Sequence, residues 1–330
     1  MAVRETQTVG PVMQQGFPSG VTVLVAGRRR VADEVVELVL ADPGGGALPR
    51  WSVGSHIDVR VPTGESRQYS LCGDPADPTW TIAVLREPDG RGGSMTLCDR
   101  IDEGDRLQVG LPRNTFSLVA AAGYYFVAGG IGITPILPMV EEAVRTGVPV
   151  TVHYGGRRAS AMAFRERLQS SGAEVTVYPE DQVGRPPLAE TIGSLPDGWA
   201  VYCCGPPGLI VAAQEATGLR SGLSFRHERF AALDQPPADD AAGSYSVVLR
   251  RSGLTLQVAP GQTVLDCVEQ AGVQVTQECR EGICGACETA VLEGVPDHRD
   301  SILTDAERRS ATTMFICVSG SRSDRLVLDL

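Results

Sequence analysis

Four short runs rich in apolar residues, 21–26, 35–40, 56–61 and 80–85, follow one another between Gly- and Pro-containing turns. Runs of that length and spacing predict the strands of an antiparallel barrel. From Tyr124 the rhythm changes. Segments 124–128, 148–154, 174–178 and 199–204 read as strands, with helices near 135–145, 159–169 and 207–216. Strand and helix in alternation predict a parallel sheet covered by helices. The stretch 232–243 (ALDQPPADDAAG) is small, acidic and Pro-containing, as an exposed linker should be. Beyond it, 245–249 and 254–258 predict a hairpin turning at 250–253. Thr263 then opens a short helix, with Asp266 in its first turn and Gly272 at its end. The expected organisation is therefore a first domain at 16–118, a second at 119–231, a linker at 232–243 and a third at 244–330.

Length agrees with more than one domain, since 330 residues exceed the usual domain of about 100–200. With 42% hydrophobic and 21% charged residues, the composition is that of a globular protein. A net charge of -11 and a pI near 4.9 argue against nucleic acid, which needs a basic face, and suit a basic protein partner better. Residues 114–140 carry no charge and are long enough to raise the question of a membrane span. Gly129, Gly130, Gly132, Pro135 and Pro138 argue against one continuous helix there, so strand, turn and helix are expected instead, with no membrane association. The first 20 residues show no continuous apolar stretch, and a cytoplasmic location is expected.

Nine cysteines in a reducing compartment are not expected to pair as disulfides, so their spacing carries the information. Cys279, Cys284 and Cys287 stand in C-x4-C-x2-C spacing within CREGICGAC, and Cys317 follows alone. This is the plant-type ferredoxin pattern, in which four thiolates hold one 2Fe-2S cluster. Gly282, Gly285 and Ala286 would let backbone N–H groups approach the sulfurs. A four-cysteine zinc site is the alternative, although such sites commonly use two C-x2-C knuckles. Cys72, Cys98, Cys203 and Cys267 read as packing.

A second signal is GGIGITP, with Gly129, Gly130, Gly132, Thr134 and Pro135, lying between the apolar strand YYFVA and an amphipathic segment. A glycine turn between strand and helix offers N–H groups and a positive helix terminus to a pyrophosphate. CGPP, with Cys204, Gly205 and Pro206, follows another strand of the same expected sheet. In the barrel, RQYS places Arg67, Gln68, Tyr69 and Ser70 in succession. RGGS, with Arg91, Gly92, Gly93 and Ser94, could cradle a phosphate. An ordinary strand edge and a loop are the alternatives for this pair.

Taken in this order, the segments resemble the phthalate dioxygenase reductase family, within the ferredoxin-NADP reductase superfamily, from about residue 21 to 330. The resemblance implies an antiparallel β-barrel flavin domain, an α/β parallel-sheet nucleotide domain and an α+β β-grasp plant-type ferredoxin domain. It implies that Arg67 meets the phosphate of FMN, that Tyr69 and Ser70 lie at the flavin, and that Arg91 to Ser94 hold the phosphate. Further contacts are expected from Gln68, Val84 and Arg86. GGIGITP would face the nicotinamide dinucleotide, and Cys204 would sit beside the nicotinamide. Glu228 and Phe230, in RHERF, resemble the segment whose aromatic covers the flavin. Ser70 and Cys204 are the expected positioning groups at the reacting ring. Arg157 and Arg158 follow the strand VTVHY with no acidic residue between, so they could accept the 2'-phosphate of NADPH, while the family favours NADH. The implied chain is a monomeric reductase passing electrons from NADH or NADPH through FMN and a 2Fe-2S cluster to a Rieske-type oxygenase. The runner-up acceptor is a haem-thiolate monooxygenase. A reading from another class is a zinc-stabilised nucleotide-binding module without redox activity.

Overall fold

A computed structural model describes residues 20–61, 66–88, 92–231, 243–277 and 279–330. Arg91 and all of the expected linker except Gly243 lie outside the described residues. The first sheet contains β1 (Val21–Ala32), β2 (Val35–Ala41), β3 (Ser55–Arg60), β4 (Ser66–Ser70), β5 (Trp80–Leu85), β6 (Arg106–Val109) and β7 (Arg113–Asn114). Helix α1 (Gly93–Arg100) lies between β5 and β6. The strands run in the order β4-β3-β6-β1-β2-β5, every pair antiparallel, with β7 on β3. A bridge between Leu71 and Ile82 brings the two ends of this order together into a barrel. Its interior is filled by Leu38, Leu40, Ile57, Leu71, Trp80 and Ile82, and the Trp80 indole N–H donates to the Pro49 carbonyl at 2.9 Å. That bond satisfies the one polar atom of the largest core side chain. β1 runs past its expected end through Arg28 to Arg30. There it pairs with β2 across two bulges, so the ladder, not side-chain burial, holds the segment extended.

The second sheet orders β10 (Glu174–Pro179), β9 (Val150–Gly156), β8 (Gly123–Gly129), β11 (Trp199–Cys204) and β12 (Ser224–Glu228), all parallel. Both faces of β8 are buried, Tyr124 and Phe126 against α2 (Ile133–Arg145) and Tyr125 and Val127 against the opposite core. This explains why YYFVA is continuously apolar rather than alternating. The charge-free stretch 114–140 thus becomes strand, turn and helix. No helix among the described residues is long and apolar enough to cross a membrane. The expected helix at 159–169 is reduced to a 3-10 turn at Ala159–Ala161 and α3 (Arg165–Gln169), because Phe164 between them adopts a left-handed backbone with φ 60°. α4 (Glu180–Val183), α5 (Leu188–Ser194) and strand β12 were not anticipated, and α6 (Pro207–Gly218) completes the covering layer. β12 reads SFRHE and lies on the sheet edge, which leaves it no apolar signature.

The third sheet orders β14 (Leu254–Val258), β13 (Tyr245–Leu249), β19 (Arg325–Leu328), β15 (Glu288–Glu293) and β17 (Thr313–Phe315), while β16 (Pro296–Asp297) and β18 (Gly320–Ser321) pair with each other. β13 and β19 are parallel and the other pairs antiparallel, with α7 (Val264–Gln270) packed on the same core. This is the mixed β-grasp arrangement. Thr263 caps α7 through a capping box with Asp266, and Gly272 follows with φ 77°, as the sequence predicts.

The barrel meets the second sheet at Gly54, in the turn before β3, with φ 85°. A Cβ there would stand 2.0 Å from the Phe116 carbonyl oxygen and 2.6 Å from the Met139 methyl. Gly54→Ala adds a left-handed penalty of roughly 1–2 kcal/mol to that clash, so thermal denaturation is expected to show a midpoint several degrees lower. An unchanged midpoint would refute the close approach.

Candidate functional site

A cavity of about 430 Å³ opens where β4, the turn after β8, the end of β12 and the loop from Cys279 to Ile283 meet. All three sheets contribute to its wall.

From the barrel come Arg67, Gln68, Tyr69 and Ser70, together on β4. A Cβ on Gly93 would lie 3.1 Å from Arg67 Cγ and 3.3 Å from its Nε, so the guanidinium stem runs directly alongside the start of α1. Ser94 Oγ accepts the Glu87 N–H at 3.1 Å and ties the same turn to the strand end. A cation beside a helix N-terminus with small residues is a fitting cradle for a phosphate. Burial pushes the Tyr69 phenol well above its usual range, so the ring stays neutral. The apolar part of the wall is Ala83, Leu85 and Ile131. Together these groups fit a flavin mononucleotide, with a charged end for the phosphate and an apolar and aromatic slot for the ring.

Two expected residues of this wall are displaced by the two-residue period of β5. Ala83 and Leu85, followed by Glu87, line the cavity. Val84 instead points into the barrel core, fully buried, and Arg86 is held by Asp99 at 2.9 Å. The side chains of Val84 and Arg86 thus lie away from this wall.

From the nucleotide sheet come Ile131 and Thr134, the Thr134 hydroxyl donating to the Ile131 carbonyl at 2.9 Å. The loops GGIG and CGPP lie at the carboxyl ends of adjacent strands β8 and β11. They touch backbone to backbone, for a Cβ on Gly132 would meet the Cys204 carbonyl oxygen at 2.3 Å, and one on Gly129 the Pro206 ring at 2.6 Å. The Tyr154 hydroxyl donates to the Gly130 carbonyl at 3.2 Å and steadies the turn. Pro135 is buried in the first turn of α2. Such a crevice at strand ends fits a dinucleotide. Gly205 is half-buried and Pro206 exposed at its edge, and Arg157 and Arg158 stand exposed beyond β9. Cys204 is fully enclosed beside Glu228 rather than on the cavity wall, and burial holds its thiol protonated.

β12 delivers Glu228, Arg229 and Phe230. Ser70 Oγ donates to Glu228 Oε2 at 3.4 Å, joining barrel and sheet. Burial raises the Glu228 carboxyl to about 8, against the opposing pull of Ser70, so it is protonated at neutral pH. Phe230 stays 45% exposed on the rim. Arg229 was missed by sequence reasoning. Among the described residues its enclosed Nε and Nη1 find no hydrogen-bond partner, and burial lowers its pKa.

The loop between α7 and β15 supplies Cys279, Glu281 and Ile283 to the same wall. The four thiols associate two by two, Cys279 with Cys284 and Cys287 with Cys317. Among the described residues no three His, Cys, Asp or Glu side chains converge on one point as a single metal ion requires. Two pairs match a two-iron cluster with two thiolates on each iron. The Glu281 N–H donates to Cys279 Sγ at 3.3 Å and the Ala286 N–H to Cys284 Sγ at 3.4 Å. The Cys284 thiol and the Glu281, Ile283 and Cys284 main-chain N–H groups draw the Cys279 thiol below its usual value, toward the thiolate that iron needs. Gly285, with φ 76°, brings the loop to the barrel, where a Cβ would stand 2.8 Å from Thr115 Cγ2.

His56 and Asp58 on β3 were also missed, although two polar residues at alternate positions in an apolar strand share one face and are a readable signal. Asp58 is fully buried, ion-paired to Arg113 and hydrogen-bonded by Gln68 Nε2 at 3.2 Å. Burial first, then the Arg113 charge, lowers the His56 pKa to about 4, so the imidazole is neutral.

Residues 247–320 match a family described as the 2Fe-2S iron-sulfur cluster binding domain. The chain is 41% identical over 303 residues to phenoxybenzoate dioxygenase subunit beta of Ectopseudomonas oleovorans, covering 91% of this chain and 94% of that one. It also superposes on the structure of phthalate dioxygenase reductase, described as modular for electron transfer from pyridine nucleotides to [2Fe-2S]. The TM-score is 0.65 and identity 33%, over 94% of this chain and 98% of that one. The chain belongs to the phthalate dioxygenase reductase family. An intact type IV self-sufficient cytochrome P450 monooxygenase contains a similar portion, with TM-score 0.90 and 41% identity over 98% of this chain. The present chain spans 43% of that longer protein.

Arg67→Ala removes one charge-assisted contact, and FMN affinity is expected to fall roughly tenfold to hundredfold. Fluorescence of flavin released on ultrafiltration measures this, with iron and sulfide content unaltered. For Glu228, whose raised pKa means the carboxylate forms only above about pH 8, flavin reduction by NADH is expected to slow severalfold as pH rises through that value. A negative charge there opposes negative charge arriving at the ring. The inflection should vanish in Glu228→Gln.

Proposed function

We propose that the chain is the reductase component of an oxygenase system, moving electrons from NADH or NADPH to a separate terminal oxygenase. The observation that carries this reading is the sharing of one cavity by the RQYS wall and by Cys279 of the cluster loop. FMN, when bound, accepts an electron pair as hydride and releases electrons singly, the form in which a 2Fe-2S cluster carries them.

The chain's own residues do the rest by placement. Arg67, with Gly92, Gly93 and Ser94, holds the phosphate and so fixes where the ring lies. Ser70 and neutral Glu228 form the polar edge beside it, and Phe230 covers the rim until a nicotinamide displaces it. Gly129, Gly130, Gly132, Thr134 and Pro135 receive the dinucleotide diphosphate, with Gly205 and Pro206 completing the floor. Cys204 acts through the shape of that floor. Arg157 and Arg158 are the groups available to a 2'-phosphate. Cys279, Cys284, Cys287 and Cys317 hold the cluster and, in its loop, exclude bulk water from one side of the cavity.

A Rieske-type oxygenase is the partner that the dioxygenase-subunit relative supports. A haem-thiolate partner is the second reading, favoured by the closer superposition on the cytochrome P450 chain, 0.90 against 0.65, at similar coverage of this chain.

Anaerobically purified protein is expected to contain flavin, iron and acid-labile sulfide, with visible bands that NADH bleaches. A colourless protein whose thiols hold zinc, unaltered by NADH, would rule this function out.

A further inference from the structure

Three of the four cluster cysteines share one loop, whereas Cys317 lies in a separate segment, so the distance between the two must be fixed by other parts of the chain. The segment 298–303 touches both. It leaves β16, which pairs with β18 just beyond Cys317, and its Arg299 N–H donates to the buried Ser319 Oγ at 3.2 Å. Two residues on, the Ser301 N–H donates to the Gly282 carbonyl at 2.9 Å, inside the cluster loop. Gly282 has φ 69°, and a Cβ there would stand 3.1 Å from Asp300 Cα and 2.6 Å from Val318 Cγ2, so the three segments close on one another at that point. The segment is also locked from within. Asp300 is 1% exposed, and its Oδ2 accepts the Ile302 and Leu303 N–H groups at 3.0 and 2.8 Å. Arg308, on α8 (Asp305–Ser310), donates to the carbonyls of Leu303 at 3.1 Å, of His298 at 3.2 Å and of Asp300, and reaches Asp300 Oδ2 at 3.5 Å. Apolar residues of similar volume often stabilise a buried site as well as an ion pair does, and what the pair can add is one fixed geometry.

We propose that Asp300 and Arg308 are positioning residues for the iron-sulfur centre, stiffening segment 298–303 into a brace that holds the cluster loop at Gly282 and the Cys317 segment at Ser319 in fixed register. The inference rests on the reductase reading above, in which the four thiols hold a 2Fe-2S cluster. Neither residue is a ligand, and neither carries an electron. Their part is to keep the fourth thiol in place relative to the other three.

The test uses the holoprotein with Arg308→Met, which keeps most of the stem and removes every donor, and with Asp300→Asn. Arg309→Met, at an exposed position on the same helix, is the control. Electron paramagnetic resonance of the dithionite-reduced cluster reads the ligand geometry, and the decay of the visible bands in excess EDTA reads how firmly the cluster is held. In Arg308→Met the g-values are expected to shift and the decay to quicken at least tenfold. A g-value shift in Arg308→Met or Asp300→Asn that is absent from Arg309→Met supports the proposal. Wild-type g-values in both variants overturn it whatever the decay rate, since faster decay alone marks lost stability without displaced ligands, and so does an equal shift in Arg309→Met. If Arg308→Met yields no folded protein, Arg308→Lys, which keeps the charge but not the fork of donors, is read by the same outcomes. Should wild-type protein lack iron and sulfide, the reductase reading itself fails. Hydrogen–deuterium exchange of 279–287 and 317–319, expected to be at least tenfold faster in Arg308→Met than in wild type, then still decides whether Arg308 holds the two segments.

Discussion

The structure depends on close approach of backbone to neighbouring groups at places where no side chain fits. At Gly54 the barrel meets the Phe116 carbonyl, at Gly132 one nucleotide loop meets the other at Cys204, and at Gly285 the cluster loop meets Thr115. Each contact brings an element end to the common cavity. A methyl group at any of the three would have to displace a neighbour, and at Gly54 and Gly132 that neighbour is a main-chain oxygen. The barrel core, the two cores flanking the second sheet and the core of the third sheet are thereby made to share one wall.

That sharing sets the electrostatics. The cavity buries Glu228 deeply enough to keep it protonated and His56 deeply enough to keep it neutral, and two Arg229 nitrogens find no partner among the described residues. Arg67 and Arg229 on the same wall suit an anionic cofactor. On the opposite wall, backbone N–H groups aimed at sulfur stabilise charge at the cluster thiols.

Much of this was legible before any coordinates. The C-x4-C-x2-C spacing with a distant fourth cysteine, the glycine turn after an apolar strand and the capped helix at Thr263 are local signals, set by residues within a few positions of one another. The short strands of the barrel and the alternation beyond Tyr124 are periodicities of the same local kind. Where local evidence was weak, the reading faltered. That the Val84 side chain enters the barrel core and that Arg86 pairs with Asp99 is decided by the packing of β5, not by the run of residues alone. β12 escaped because an edge strand of polar residues is held by its ladder to β11. The helix expected at 159–169 is broken by the backbone at Phe164, whose conformation its own side chain does not announce.

By itself, then, the sequence determined the ligand set, the order of the folding units and the chemistry each can host, because these follow from spacing and composition along the chain. Only the tertiary structure decided which of those units face one another. It brought Ser70 to Glu228, and Thr115 to Gly285, pairs separated by well over a hundred residues. Contacts of that range arise from how finished surfaces pack, and packing is governed by shape and buried area that no local pattern encodes.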